Sequence, residues 1–147
     1  MKWAVRQRGS ELLEFALVLP LLVLLVFGIA DFSLALFDKV VITNAAREGA
    51  RAGVVFHVVF DQNGSPTNTR LTDEQIEQVV RDYCARYLVT SENTNLSINL
   101  DAQTAARLTG ESLTVRVGYP YSFFVLSKLV PSIRSLNLTS TSVMRYE

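Results

Sequence analysis

Few residues of this chain are equipped for covalent or acid–base chemistry, and their placement argues against catalysis. His57 is the only histidine and lies in the apolar run Val54–Phe60, where no triad partner or metal cluster accompanies it. Cys84 is the only cysteine, so an intramolecular disulfide and a thiolate-rich zinc site are both excluded. It falls among apolar positions of a predicted helix, where an inert buried thiol is expected. No glycine-rich phosphate loop and no metal-ligand spacing is present. The expectation is therefore a protein that is not an enzyme and uses no cofactor and no metal. Arg47 and Arg51, four apart, read as a solvated helix edge rather than an anion site.

The groups that demand explanation are carboxylates in apolar surroundings. Glu14 stands at the start of a long hydrophobic stretch, where the dipole of a helix favours it by a few tenths to ~1 kcal/mol. Asp31 stands inside that stretch, where an acid at the centre of a membrane helix costs ~2.5–3.5 kcal/mol and less toward an interface. Two readings of Asp31 are open, solvation at the outer interface and pairing with another subunit.

The element that carries these acids is a helix, expected over residues 10–55. Met1 to Gly9 hold Lys2, Arg6 and Arg8 with no acid, and Phe15 to Ala30 hold no charge. Basic residues flanking an apolar helix stay cytoplasmic, which predicts a single-pass protein in the cytoplasmic (inner) membrane, N-terminus inside and the remainder outside. The uncharged run is short of the ~20 residues needed to span hydrocarbon, and continuation through Asp31 to Phe37 supplies the length. Pro20 removes the bond its N–H would give to the Ala16 carbonyl, so a kink or loosening is expected there. Beyond Asp38 good helix formers continue to Gly53. Ala45, Gly49 and Gly53 form a small face that either admits a close neighbour or marks fraying at the helix end.

Val54–Phe60 is left open between helix end and short strand. Asp61–Arg70 is rich in turn formers and reads as an exposed loop. Thr72 with Gln75 forms a capping box, and Ile76, Val79, Val80, Tyr83, Tyr87 and Leu88 recur at helical spacing behind it. Leu96–Leu100, Leu113–Val117 and Leu136–Met144 read as three antiparallel strands, with Pro120 ending the second or placing it at an edge. Phe123–Pro131 is too short to span a bilayer; it either lies on the membrane surface or closes over the core, and core cover is the expectation, because a three-stranded sheet with one helix leaves apolar surface to hide. The fold class is α+β, with a transmembrane helix leading into a small head of three strands and one packed helix. The expected divisions are a leader at 1–9, a transmembrane segment at 10–37, a helical stalk at 38–55 and a head at 56–147. The formal net charge of zero offers no broad cationic surface, so nucleic acid is not expected as a partner.

The stretch Arg8-Gly9-Ser10-Glu11-Leu12-Leu13-Glu14-Phe15 joins a basic leader ending in glycine to an acid, an aromatic and an apolar helix. It resembles the prepilin cleavage signal in the form found in the tight-adherence (Flp) pilus branch. Glu14–Pro20, Asn44–Arg51 and the closing Ser142–Glu147 resemble the TadE-like pseudopilins. The resemblance implies cleavage between Gly9 and Ser10 by a prepilin peptidase, entry into a pilus or pseudopilin complex, and partnership with other Tad pilins and the inner-membrane assembly platform. A side chain-free Gly9 suits an extended bond in a protease. Removal of Lys2, Arg6 and Arg8 would lower lysine plus arginine from 14 to 11 against 14 acids, a formal charge of −3.

After such a cut the Ser10 α-amino group, with a reference pKa of about 8, would be mostly protonated and would need a partner in low dielectric. Glu14 stands one turn away and can serve its own amine or that of an adjacent subunit. The resemblance gives Glu14 and Phe15 this assembly and docking role, and it also implies a kink at Pro20. Two other outcomes stay open: a permanently anchored periplasmic binding module, and a secretory signal cut after Ala30, against which Glu11 and Glu14 argue.

Overall fold

Residues Ala4–Val54 form one uninterrupted α-helix, α1, of 51 residues, about 77 Å long at ~1.5 Å per residue. The computed structural model describes residues 4–60, 64–89, 95–102, 108–129 and 135–146. The part of the expected leader at residues 1–3 lies outside them. The helix passes through Pro20 without a break.

Two different environments follow one another along α1. Every residue from Gly9 to Val23 is exposed, whereas a buried stripe begins at Asp31 and continues through Ala35, Asp38, Ile42, Ala45, Gly49 and Gly53. Steps of three and four keep these positions on one face of a helix. Residues 38–55 are thus more than a stalk: they form the central strut of the head's core, and the head grips the helix from Asp31 onward, inside the expected span 10–37.

The sheet has the order β3-β4-β5, all antiparallel, from β3 (Ser97–Ala102), β4 (Ser112–Ser122) and β5 (Ser135–Arg145). Leu113, Val115, Val117, Tyr119 and Tyr121 alternate inward from the central strand onto α1, while Arg116 is exposed on the outer face. The strands outrun their expected bounds. Pro120 neither ends β4 nor lies in an edge strand, since β4 is central and continues to Ser122. Its pairing explains the tolerance: β3 ends with Ser97 opposite Gly118, so Pro120 has a partner only on the β5 side, at Asn137.

Helix α2 (Asp73–Tyr87) starts at the expected capping box, where Thr72 and Gln75 bond each other's backbone amides. Ile76, Val80 and Cys84 are buried against the core, while Tyr87 turns to solvent. The small face of α1 admits this helix: a Cβ on Gly49 would fall 2.4 Å from Val80 Cγ2, so the glycine is there for close approach rather than fraying. Val54–Phe60 divides between the two open readings, the helix ending at Val54 and His57–Phe60 forming β1. β1 pairs with β2 (Pro66–Thr69), which corrects the expected loop; residues 61–63 lie outside the described ones. The Arg70 guanidinium stacks between Phe56 and Tyr146 at 4.4 and 4.5 Å from their centroids and ties the hairpin base to the head. Phe123 is buried as expected of core cover, followed by the short helix α3 (Leu126–Leu129). Residues 130 and 131 of that segment lie outside the described residues.

Burial pushes the Cys84 thiol up to about 11 from 9.0, with Arg81 working against the shift and Asp38 adding to it. A maleimide at about pH 8 should therefore label Cys84 at least ~100-fold more slowly in the folded protein than in urea, because the thiolate fraction alone falls by that factor. Equal rates by mass spectrometry would contradict a buried thiol. Burial likewise raises the Tyr121 hydroxyl to about 12, helped by Asp31, Asp38 and Tyr119. Both folded values exceed the unfolded ones. Their stabilising contribution is therefore complete below about pH 9 and is lost as pH rises toward 12, first through Cys84.

Candidate functional site

The residues singled out at the start of α1 lie on bare helix. Gly9, Ser10, Glu14 and Phe15 are all exposed, and nothing lies within 4 Å of where a Gly9 side chain would begin. Ser10 and Glu14 share a face one turn apart, as i, i+4 positions of a helix must. The Gly9–Ser10 bond is itself helical, more than one turn inside α1. An extended form of this bond requires the first turns to unwind, which a glycine makes easier by about 1 kcal/mol relative to alanine. Pro20 sits six residues beyond Glu14, also exposed, and deprives the helix of one internal bond. Among the described residues these five positions are left exposed and stand outside the buried core.

The exposed portion is long and apolar enough to cross a membrane by length and composition. From Gly9 to Ala30 the helix rises about 33 Å, close to the ~30 Å of a hydrocarbon core, and ends where Asp31 begins the packed region.

Asp31 does neither of the two things expected of it. It is 3% exposed, and its Oδ2 accepts the backbone N–H groups of Val125 at 3.0 Å and Leu126 at 2.9 Å. Its carbonyl accepts the Tyr121 hydroxyl at 3.1 Å. The acid in the apolar stretch is therefore a clamp that fixes the β4–α3 turn to α1. Two turns on, Asp38 repeats the device: it is fully buried and its Oδ1 accepts the Val89 N–H at 3.2 Å, just past the end of α2. Lys39 adds a bond from its Nζ to the Thr139 carbonyl on β5. Sequence reasoning missed Asp38, Tyr121 and the clamp. The available signal was the spacing of Asp31 and Asp38, which puts two acids on one otherwise apolar face.

The arrangement has a clear division. One half of α1 presents a bare apolar surface with acids at its start, and the other half packs against the sheet and is tied by buried carboxylates to the β4–α3 turn and to the segment after α2. It holds a head in fixed orientation relative to a membrane-length helix. No curated protein and no solved structure matches the chain. Residues 9–51 match the model of the TadE-like protein family, beginning at Gly9 and taking in both Glu14–Pro20 and Asn44–Arg51. From Gly9 to Arg51 the chain is similar to the TadE-like family, and that stretch is the helix on which Ser10, Glu14, Phe15 and Pro20 are displayed and to which the head is clamped.

Proposed function

We propose that this protein is a non-catalytic minor pilin or pseudopilin of a Tad/Flp-type pilus system. It is held in the cytoplasmic membrane by residues 10–30 with its head outside, and is processed between Gly9 and Ser10 by a prepilin peptidase. The observation that carries the reading is the TadE-like helix, whose first half is bare and membrane-length while its second half is rigidly joined to a head. A surface of that kind, apolar and exposed along its whole length, requires lipid or neighbouring helices around it. Processing would free the Ser10 amine for Glu14 of its own or an adjacent subunit, and Phe15 would pack beside that pair. The partners are then the peptidase, other Tad pilins and the inner-membrane assembly platform. In this role the head contributes shape and surface rather than catalysis.

N-terminal sequencing of the protein recovered from cells tests the processing step: Ser10 as first residue supports it, Met1 indicates a permanent anchor, and Asp31 a secretory cut. Glu14→Leu tests docking. The processed variant should remain in the membrane yet be recovered with pili or pseudopilin complexes at least ~10-fold less than wild type, the effect of ~1.4 kcal/mol lost from a charge-assisted contact. Recovery equal to wild type would remove Glu14 from assembly.

A further inference from the structure

At the level where α1 leaves its bare portion, three large apolar side chains are exposed. Phe32 on α1 is 55% exposed, Phe124 on the turn after β4 is 52% exposed, and Leu136 at the start of β5 is 41% exposed. The clamp fixes their common level. Phe124 directly precedes Val125, whose amide is held by Asp31; Leu136 is opposite Tyr121, whose hydroxyl bonds the Asp31 carbonyl; and Phe32 follows Asp31 in the chain. Lys128, four residues beyond Phe124, is exposed at the same end. Farther along the strands one register row of the outer face is polar, Asn99, Arg116 and Thr141 all being exposed, and Val143 is the exposed apolar residue beyond it on β5.

We propose that this rim, Phe32, Phe124 and Leu136 with Lys128, rests in the outer headgroup layer of the membrane and seats the head on the lipid surface. The inference depends on the membrane-anchored reading above. The occupant is a lipid surface because the rim continues a helix portion whose ~33 Å matches the hydrocarbon thickness, so its level coincides with the water interface. Aromatic rings are favoured at that depth, where an apolar body meets hydrated headgroups. A lysine there reaches the phosphates while its stem lies along the apolar layer. The rim also accounts for the buried Asp31: an acid at this depth is acceptable because backbone N–H groups of the turn take the place of water.

The test uses the full chain in vesicles of phosphatidylethanolamine and phosphatidylglycerol, with Trp3, the only tryptophan, replaced by phenylalanine. Single reporters are placed by Phe124→Trp, by Leu22→Trp in the bare helix and by Phe60→Trp on the distal hairpin. Lipids brominated near the glycerol backbone should quench the Phe124→Trp emission several-fold more than that of Phe60→Trp and shift it to the blue. Lipids brominated near the chain ends should quench Leu22→Trp instead. If Leu22→Trp is quenched while Phe124→Trp and Phe60→Trp both escape quenching, the rim does not touch lipid and the inference is overturned. If Leu22→Trp escapes quenching, the membrane anchor itself is refuted. Equal quenching of Phe124→Trp and Phe60→Trp would mean the head lies flat, which also overturns the seating proposed.

Discussion

Replacing Asp31 by leucine is expected to loosen the head from the helix while making the helix a better membrane span, two effects of opposite sign from one side chain. The carboxylate accepts two backbone amides, Val125 and Leu126, and the variant leaves both without that acceptor in a partly buried turn. A hydrogen bond to a charged group contributes ~1.5–3 kcal/mol, and an orphaned buried donor costs ~1–3 kcal/mol. With partial access of water to this turn, a loss of about 2–4 kcal/mol in local stability is expected. Amide exchange at Val125 and Leu126 should therefore quicken by at least ~30-fold, the equivalent of ~2 kcal/mol. Insertion should move the other way, because removing an acid from the end of the span relieves part of the ~2.5–3.5 kcal/mol it would cost at the centre. Asp31→Asn retains one carbonyl acceptor and should fall between wild type and leucine in amide protection. Both variants remove a negative charge beside Tyr121 and should let its hydroxyl titrate below about 12. Unchanged exchange at Val125 and Leu126 in the leucine variant would show that the clamp does not hold the turn.

The clamp also marks the boundary of what the sequence made legible. The helix was readable because Leu, Val and Ala without an interior breaker except Pro20 leave little alternative, and α2 was readable from the Thr72–Gln75 box. Two of the three main strands were readable from alternation, and the third from a β-rich, uncharged stretch. What stayed hidden depends on contacts across long stretches of chain: Asp31 is 94 residues from Val125, and Asp38 is 51 residues from Val89. Neither acid carries a local signal naming its partner. Strand β2 was concealed for a different reason. Pro66–Thr69 has no apolar alternation, and it is a strand because His57–Phe60 pairs with it. Pro120 misled because the rule against proline in a central strand assumes two neighbours, and β4 has lost one at that point.

Gly9, Ser10 and Glu14 present the reverse case. Their significance was visible through resemblance to a cleavage signal, and among the described residues all three are exposed. Exposure of that kind suits the proposed roles in processing and docking, since a site that meets an outside partner must stay uncommitted in the monomer.

The second large effect is expected at Gly49, where helix propensity and packing pull in opposite directions. Propensity alone favours alanine over glycine in a helix by ~1 kcal/mol. Packing opposes it: the added Cβ would stand 2.4 Å from Val80 Cγ2, closer than carbon atoms approach. Val80 is fully buried and its methyl sits on a short branched stem, so relief requires moving α2 as a body. Overpacking of this kind costs ~1–3 kcal/mol, so Gly49→Ala should be destabilising by about 1–2 kcal/mol net, and Gly49→Leu by ~3 kcal/mol or more. Gly53 supplies the contrast. There the new Cβ meets Leu113 Cδ2 at 2.5 Å and Ile76 Cδ1 at 2.7 Å, the tips of buried side chains that, unlike Val80, have a second torsion through which to give way. Propensity should then offset most of the strain, and Gly53→Ala should stay within about 1 kcal/mol of wild type. Thermal unfolding followed by near-ultraviolet dichroism in one detergent measures all three. The order expected is wild type and Gly53→Ala together, then Gly49→Ala, then Gly49→Leu. A Gly49→Ala protein as stable as wild type would mean that α2 can shift freely.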